Sequence, residues 1–201
     1  MKKINQFIKR TFDIVMSLIG IIILSPIFII VSILIKIDSP GNILFLQKRV
    51  GRYGKEFNIY KFRTMISDAE KLGKQITVGE DSRITKIGAI LRKFKIDELP
   101  QLFNVLNGDM SLVGPRPEVP KYVKLYSEEQ KKVLNVRPGI TDMASLRYRD
   151  ENDILGKVDN PEEYYINVIM QDKLNLNLEY IEKSNIIFDI SLILKTIIKC
   201  I

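Results

Sequence analysis

Two adjacent carboxylates, Asp97 and Glu98, are the residues of this 201-residue chain best suited to chemistry. One arginine, Arg92, precedes them, and another, Arg116, follows them within the run Gly-Pro-Arg-Pro. The chain has no histidine, which excludes a Ser-His-Asp triad, a histidine-bearing zinc site and an imidazole base. Carboxylates flanked by cations, without histidine, can handle a phosphate and a divalent metal.

Phosphoryl transfer needs positive charge at the phosphate, a nucleophile and a stabiliser for the leaving group. The candidate phosphate-binding cations are Arg92, Arg116, Lys61 and Arg63. A carboxylate can be the nucleophile, as in aspartyl-phosphate enzymes, and Glu98 is a suitable hard ligand for Mg²⁺. Adjacent residues on a helix point about 100° apart, so one carboxylate can attack while the other holds metal. That division of roles is a hypothesis.

An amphipathic helix is predicted directly after the two carboxylates. Its apolar face has helical spacing and comprises Leu99, Leu102, Phe103 and Leu106. Pro100 suits a first turn, and Asn107-Gly108 is a stop signal. We therefore expect Asp97 near the helix N-cap, where the helix dipole and nearby cations keep it ionised. The alternative is a capping aspartate beside a solvated glutamate.

A long apolar segment near the N-terminus predicts a membrane helix. Ile14 to Ile35 contains no charged residue, and as a helix it would be about 33 Å long. Basic residues lie on both sides of it, although positive charge usually marks only the cytoplasmic end. Ser25-Pro26 stands in its middle, and proline kinks a helix. A re-entrant helix that bends there and a straight single pass are both compatible with these residues.

The rest of the chain predicts mostly helices and one small hairpin. Ile43–Gln47 and Phe57–Phe62 are expected strands, 65–72 is an expected short helix, and 186–198 carries an apolar stripe. That last stripe fits an interfacial helix lying on a membrane or a helix packed on the core. The net charge of +7 suits phosphate-rich partners such as anionic lipid, nucleotide or nucleic acid. Dispersed acidic residues and the membrane segment argue against nucleic acid.

Several motifs together closely resemble the bacterial sugar transferases, the monotopic phosphoglycosyl transferases. They are the proline-interrupted N-terminal helix, Lys61-Phe62-Arg63-Thr64-Met65, Leu91-Arg92-Lys93, the run from Asp97 to Leu106, and the run from Gly108 to Pro117. The resemblance covers nearly the whole chain and is to the short, catalytic-core form of the family. It implies a mostly helical α+β fold, with a re-entrant membrane helix at 1–36 broken at Ser25-Pro26 and a cytoplasmic-face catalytic domain at 37–201.

The resemblance also implies an activity. The enzyme would move a sugar phosphate from a UDP-sugar to undecaprenyl phosphate at the bacterial inner membrane, release UMP, and so initiate glycoconjugate assembly. The residue matching Asp97 would attack the sugar-proximal phosphorus to form a covalent intermediate, and the residue matching Glu98 would help bind Mg²⁺. Arg92 and Arg116 would contact phosphate. A second copy of the chain and downstream glycosyltransferases are further candidate partners.

One region departs from a common family pattern. After Pro138-Gly139-Ile140-Thr141 many relatives continue with glycine and soon Ala-Gln, whereas this chain continues with Asp142. The sugar identity therefore stays open, and Arg137, Arg147 and Arg149 are only candidate nucleotide-side residues. A non-enzymatic alternative is a membrane-anchored interaction protein whose basic residues bind anionic lipid headgroups, with Asp97 as a cap.

Overall fold

The computed structural model describes residues 3–67 and 81–200 of the chain. Its first element is helix α1, Lys3–Asp38, with Pro26 inside it. Pro26 has no N–H to donate to the carbonyl of Ile22 four residues earlier, and the Ser25 hydroxyl donates to that carbonyl at 2.8 Å. Ser25 thus satisfies a carbonyl that the proline leaves without its helical partner. Helical structure continues across Ser25-Pro26, and the re-entrant path stays a prediction.

One face of α1 packs against the rest of the protein along its length. Its buried and half-buried positions recur with helical spacing and include Asp13, Ser17, Gly20, Phe28, Val31 and Ile35. The opposite face exposes a row of large apolar side chains, namely Ile22, Ile23, Ile29, Ile30, Ile33 and Ile37. Among the described residues, α1 is the one helix long and apolar enough to cross a membrane.

The predicted hairpin is confirmed and is longer than expected. Strands β1, Leu44–Val50, and β2, Glu56–Phe62, pair antiparallel through a tight connection in which Tyr53 takes a left-handed conformation. On the free edge of β2, the Asn104 side chain accepts from the Tyr60 N–H at 2.9 Å and donates to the Asn58 carbonyl at 2.8 Å. An amide side chain therefore replaces a third strand at that point.

The remaining elements are mostly short helices. They are α2 Lys86–Lys93, α3 Gln101–Asn107, α4 Pro120–Val123, α5 Met143–Arg147, α6 Glu151–Leu155, α7 Pro161–Tyr164, α8 Met170–Lys183 and α9 Ile186–Cys200. A π-helical turn, Tyr165–Ile169, joins α7 to α8. Met65 pairs with Ile84 in a β-bridge, so the helix predicted for 65–72 does not begin at Met65, and its residues from 68 onward lie outside the described residues.

A second sheet, which the sequence did not predict, pairs strands β3, Ser111–Val113, and β4, Gly139–Thr141, in parallel. Just after β3 the two backbones approach so closely that a Cβ on Gly139 would lie 2.1 Å from the Gly114 nitrogen. Only glycine permits this approach. The pairing brings the Gly-Pro-Arg-Pro motif beside the Pro-Gly segment of β4.

Helix α9 lies beside α1 and is anchored there by a buried carboxylate. Asp189 pairs with Lys9 of α1 at 2.5 Å and accepts a hydrogen bond from the Tyr180 hydroxyl at 2.7 Å. Leu192 is buried, whereas outward apolar residues of the helix, Ile187, Ile190, Leu194 and Ile198, are exposed. One face of this helix therefore packs on the core, and its position on a membrane stays a prediction.

Candidate active site

The two carboxylates lie in a tight turn rather than at a helix N-cap. Lys95 takes a left-handed conformation with φ 56°, and a 3-10 turn, Ile96–Glu98, follows it. Helix α3 begins only at Gln101, with Pro100 at its N-cap and no side chain capping it. We expected Asp97 near the N-cap, and it lies three positions before that cap, in the 3-10 turn. The turn aims Asp97 and Glu98 differently, as the sequence led us to expect.

Glu98 is clamped between two cations. Its Oε1 accepts from Lys61 Nζ at 2.8 Å, and its Oε2 accepts from Arg116 Nη1 at 3.1 Å. Arg116 Nη2 also donates to Oε1, which makes the pair bidentate. Burial alone would raise the pKa of Glu98, but Arg116 and Lys61 outweigh it and hold that pKa well below its usual value. Glu98 is therefore a fixed negative charge.

Asp97 has a different environment. Its side chain is buried, and Oδ1 has no hydrogen-bond partner among the described residues. Burial is the largest influence and raises the pKa of Asp97, while Lys61 acts against it. The sequence led us to expect that a helix dipole and nearby cations keep Asp97 ionised, and burial acts against that effect. An unengaged carboxylate oxygen that burial makes more basic is suited to act as a nucleophile.

Arg92 and Lys61 provide positive charge next to Asp97. Arg92 Nε donates to the Thr64 hydroxyl at 2.8 Å, which fixes the guanidinium near the carboxylates. Burial lowers the pKa of Arg92 and the charge of Asp97 opposes that change. Lys61 comes from β2 and Arg92 from the end of α2, so the hairpin and α2 meet at this point. The structure brings together Asp97, Glu98, Lys61, Arg92 and Arg116, as predicted.

A buried carboxylate that sequence reasoning did not assign holds Arg116 in place. Asp142 Oδ2 accepts from the Arg116 backbone N–H at 2.8 Å, and the same carboxylate caps α5 by accepting from the Ser145 N–H. Gly114 N donates to the Thr141 carbonyl at 3.1 Å. Asp142 is the residue at which this chain departs from the family pattern given above. That departure is the sequence feature that could have identified it.

The charged side chains of Asp97, Glu98, Lys61, Arg92 and Arg116 line a cleft of about 1750 Å³. Apolar side chains from α1, α3 and α9 also line it, and they are Met16, Leu102, Ile193 and Ile197. The cleft can therefore hold a charged head and an apolar chain at once.

Arg63 lies at the edge of the cleft with its terminal nitrogens engaged by the end of α1, and its role in phosphate binding stays a prediction. Its Nη1 donates to the Pro40 carbonyl at 2.7 Å, and its Nη2 donates to the carbonyls of Ser39 at 2.6 Å and Ile35 at 3.3 Å. These carbonyls lie at the C-terminal end of α1, where helix carbonyls lack internal partners. Although Arg63 borders the cleft, its terminal nitrogens are engaged in capping α1.

The three arginines that were candidate nucleotide-side residues lie in three different places. Arg137 does not line the cleft, and its Nε donates to the Gly108 carbonyl at the end of α3 at 3.0 Å. Arg147 also lies outside the cleft lining and pairs with Asp172 at 3.4 Å. Arg149 borders the cleft, is exposed, and has no hydrogen bond or ion pair to the described residues. Only Arg149 keeps a position compatible with substrate contact.

Whether the two carboxylates fit Mg²⁺ depends on how many ligand positions they offer. No group of three or more His, Cys, Asp or Glu residues that could hold a metal occurs in 3–67 and 81–200. Mg²⁺ commonly uses one or two carboxylates together with substrate phosphates and water, so a pair is sufficient. Glu98 accepts three hydrogen bonds and a carboxylate offers about four lone-pair positions, which leaves Oε2 one position for a ligand. The donor set fits a substrate-carried Mg²⁺.

Comparison with known proteins places these residues in a family context. The model of a family described as bacterial sugar transferase matches residues 4–201. The chain is 43% identical over 169 residues to a UDP-N-acetylgalactosamine-undecaprenyl-phosphate N-acetylgalactosaminephosphotransferase of Aeromonas hydrophila, covering 81% of this chain and 40% of the relative. It is 46% identical over 153 residues to a putative undecaprenyl-phosphate N-acetylgalactosaminyl 1-phosphate transferase of Bacillus subtilis, covering 76% of this chain and 82% of the relative.

A third relative acts on a different sugar by name. The chain is 35% identical over 201 residues to a UDP-glucose:undecaprenyl-phosphate glucose-1-phosphate transferase of Escherichia coli, covering 98% of this chain and 40% of the relative. The chain thus spans less than half the length of two of these relatives and most of the third. The names share a lipid phosphate acceptor and differ in the sugar.

Proposed function

Because this chain belongs to the bacterial sugar transferase family, we propose that it transfers a sugar 1-phosphate from a UDP-sugar to undecaprenyl phosphate and releases UMP. The observation that carries this proposal is the contrast between the two adjacent carboxylates. Asp97 has a buried oxygen without a hydrogen-bond partner in the described part of the chain, while Glu98 beside it is held by Lys61 and Arg116. One is available to attack and the other organises positive charge around the point of attack.

We propose a reaction in two displacements at phosphorus. In the first, an Asp97 carboxylate oxygen bonds to the sugar-proximal phosphorus, and the bond from that phosphorus to the bridging oxygen breaks, so that UMP leaves with the electron pair. In the second, a phosphate oxygen of undecaprenyl phosphate bonds to the same phosphorus and the Asp97 carboxylate is released. A carboxylate nucleophile thus divides one difficult transfer into two steps.

The cations around Glu98 have a defined part in this scheme. Lys61 and Arg116 form ion pairs with Glu98, and the charge of Arg92 interacts with that of Asp97. The diphosphate would therefore meet positive charge that is already in place. Preorganised charge stabilises the phosphoryl transition state without rearrangement at the moment of reaction. Mg²⁺, with Glu98 Oε2 as its protein ligand, would neutralise charge on the leaving UMP. Removal of Mg²⁺ by EDTA is expected to abolish UMP release.

The apolar surfaces of α1 and α9 support a position on one face of the bacterial inner membrane. Both ends of α1 contact the same globular part, because Arg10 donates to the Val105 carbonyl at 2.7 Å and Asp38 accepts from the Ile87 N–H at 3.0 Å. A straight single pass would separate these ends by the thickness of the bilayer. We therefore propose a monotopic, re-entrant arrangement with the cleft on the cytoplasmic side.

The activity is tested by UMP release from a panel of UDP-sugars, with and without undecaprenyl phosphate. We expect Asp97→Asn to abolish turnover, whereas Asp159→Asn, a change at an exposed aspartate, leaves it intact. Without lipid acceptor the parent should release UMP in one stoichiometric burst, with a sugar-phosphate adduct on the peptide that contains Asp97. Normal turnover by Asp97→Asn would favour the non-enzymatic anchor that binds lipid headgroups.

The membrane arrangement needs a separate experiment. In a Cys200→Ser background, cysteines are introduced in turn at Lys3 and Lys55 and treated outside intact cells with an impermeant thiol reagent. Neither cysteine should be labelled until the cells are opened. Labelling of one of them in intact cells would support the straight single pass.

A further inference from the structure

A second, smaller cavity adjoins the catalytic cleft. It measures about 180 Å³ and lies between α8 and the segment from Arg116 to Val119. Six residues line both cavities, namely Arg49, Arg116, Ser145, Glu151, Asn152 and Lys173. Arg116, which holds Glu98, is therefore also part of the wall of this smaller cavity.

The size of the small cavity limits what it can hold. At about 30 Å³ for each water it has room for roughly six water molecules. That is close to the volume of one monosaccharide ring, and it is too small for a nucleoside. The nucleotide of a UDP-sugar would therefore have to stay in the large cleft.

The charges around the cavity are already neutralised in pairs. Arg49 pairs with Glu118 at 3.1 Å, Lys173 pairs with Glu151, and Arg116 pairs with Glu98. The rings of Tyr122 and Tyr165, 5.1 Å apart, also contribute to the lining. A polar lining with balanced charge and aromatic rings suits a neutral, hydroxyl-rich ligand better than a second free anion.

Asn177 is an independent indication that the small cavity binds a ligand. It lies on the inward face of α8, is only 5% exposed, and lines the cavity. Its Oδ1 is buried and has no hydrogen-bond partner among the described residues. Buried amide groups in folded proteins are normally hydrogen-bonded, so this oxygen calls for a donor from a ligand or a water.

We propose that this cavity receives the sugar ring of the transferred sugar phosphate, and that Asn177 Oδ1 accepts a hydrogen bond from a hydroxyl or amide N–H of that sugar. The inference rests on the proposed function, because it concerns the donor of the same reaction. It assigns Asn177 as a specificity residue on α8, far along the sequence from the carboxylates. A buried acceptor discriminates strongly against a sugar that lacks the matching donor, since the acceptor is then left unpaired.

The test compares Asn177→Leu with the parent on UDP-N-acetylglucosamine, UDP-N-acetylgalactosamine, UDP-glucose and UDP-galactose. Asn175→Leu, on the exposed side of the same helix, is the matched control. We expect Asn177→Leu to lower kcat/KM for the best donor by about 10- to 100-fold and to reduce the preference between sugars. Asn175→Leu should keep the parent's values and its preference.

Deoxy analogues of the best donor make the test specific. In the parent, one analogue should lose activity because it lacks the group that pairs with Asn177, and that loss should disappear in Asn177→Leu. Asn177→Ala removes the same oxygen without adding bulk and should reproduce the result if the leucine variant folds poorly. An unchanged sugar preference in the folded variants, or an equal loss for all sugars and analogues, would overturn the assignment. No UMP release by the parent from any UDP-sugar would instead overturn the proposed function.

Discussion

The cleft around Glu98 and the C-terminal ends of α1 and α3 use arginine in two different ways. In the cleft, Arg116 faces a carboxylate, and its side chain is 34% exposed. At the end of α1, Arg63 is buried and donates to backbone carbonyls. At the end of α3, Arg10 and Arg137 do the same for the carbonyls of residues 105–108.

The difference lies in what remains available for a substrate. Backbone carbonyls at a helix end lack internal partners, and an arginine that satisfies them stabilises the helix and has few donors left. Arg116 uses one N–H of each terminal nitrogen on Glu98, which leaves other donors of its guanidinium without partners among the described residues. An arginine next to a phosphate site is therefore a ligand only when its partners leave donors unused.

Among the arginine variants, the largest expected effect is that of Arg116→Ala. It removes a preorganised cation from the phosphate site, and kcat/KM for UMP release should fall about 100- to 1000-fold. Arg116→Lys keeps the charge but cannot form the bidentate contact, so it should recover only part of the rate. A folded Arg116→Ala variant with a rate within about threefold of the parent would contradict the distinction between the two regions.

Arg63→Met should act on stability instead of on the reaction. It removes the arginine donors of the Ile35, Ser39 and Pro40 carbonyls, although Ile35 keeps the Ser39 N–H and Pro40 keeps the Ser67 hydroxyl. The Ser39 carbonyl is left without a donor among the described residues, and we expect the free energy of unfolding to fall by about 1–3 kcal/mol. Denaturant unfolding in detergent measures this change, and UMP release is then expressed per folded molecule. Parent-like stability combined with lost activity would return Arg63 to the phosphate-binding role predicted from sequence.

Patterns that depend on nearby residues could be predicted from the sequence. The hairpin follows from two apolar runs around Gly51 and Gly54, and helix α1 follows from a long uncharged segment. The site residues Lys61, Arg92 and Arg116 were proposed from the charges that phosphoryl transfer needs around Asp97 and Glu98, and the resemblance to a family then implied roles for most of them. Neither argument supplied their hydrogen-bond partners.

Features that depend on distant partners could not be predicted. The role of Arg63 is decided by the end of α1, which is separate from it in the sequence. The parallel pairing of β3 with β4 joins two three-residue strands whose composition gives little signal. The pKa of Asp97 is raised because tertiary packing buries it, and the favourable local charges that the sequence displays are outweighed.

Arg137→Gln tests whether an arginine that caps the end of α3 also contributes to substrate binding. Within the described residues the Arg137 side chain makes one hydrogen bond, to the Gly108 carbonyl, so we expect a loss of about 1 kcal/mol in the free energy of unfolding. The KM for the UDP-sugar should not change, because Arg137 does not line the cleft. A rise in KM at unchanged stability would show that the nucleotide reaches this side of the molecule.

Arg149→Ala is expected to have the smallest effect, and it examines the one weak candidate that borders the cleft. Arg149 is exposed and unpaired among the described residues, so its removal should change the free energy of unfolding by no more than about 0.5 kcal/mol. If the charge attracts the diphosphate, KM should rise about threefold at low salt, and the difference should shrink near physiological ionic strength because salt screens exposed charges. Arg147→Ala is the matched control, since Arg147 is similarly exposed but lies outside the cleft lining. Equal KM values for both variants and the parent at low salt would remove Arg149 from the site, and phosphate binding would then fall to the cations fixed around Glu98.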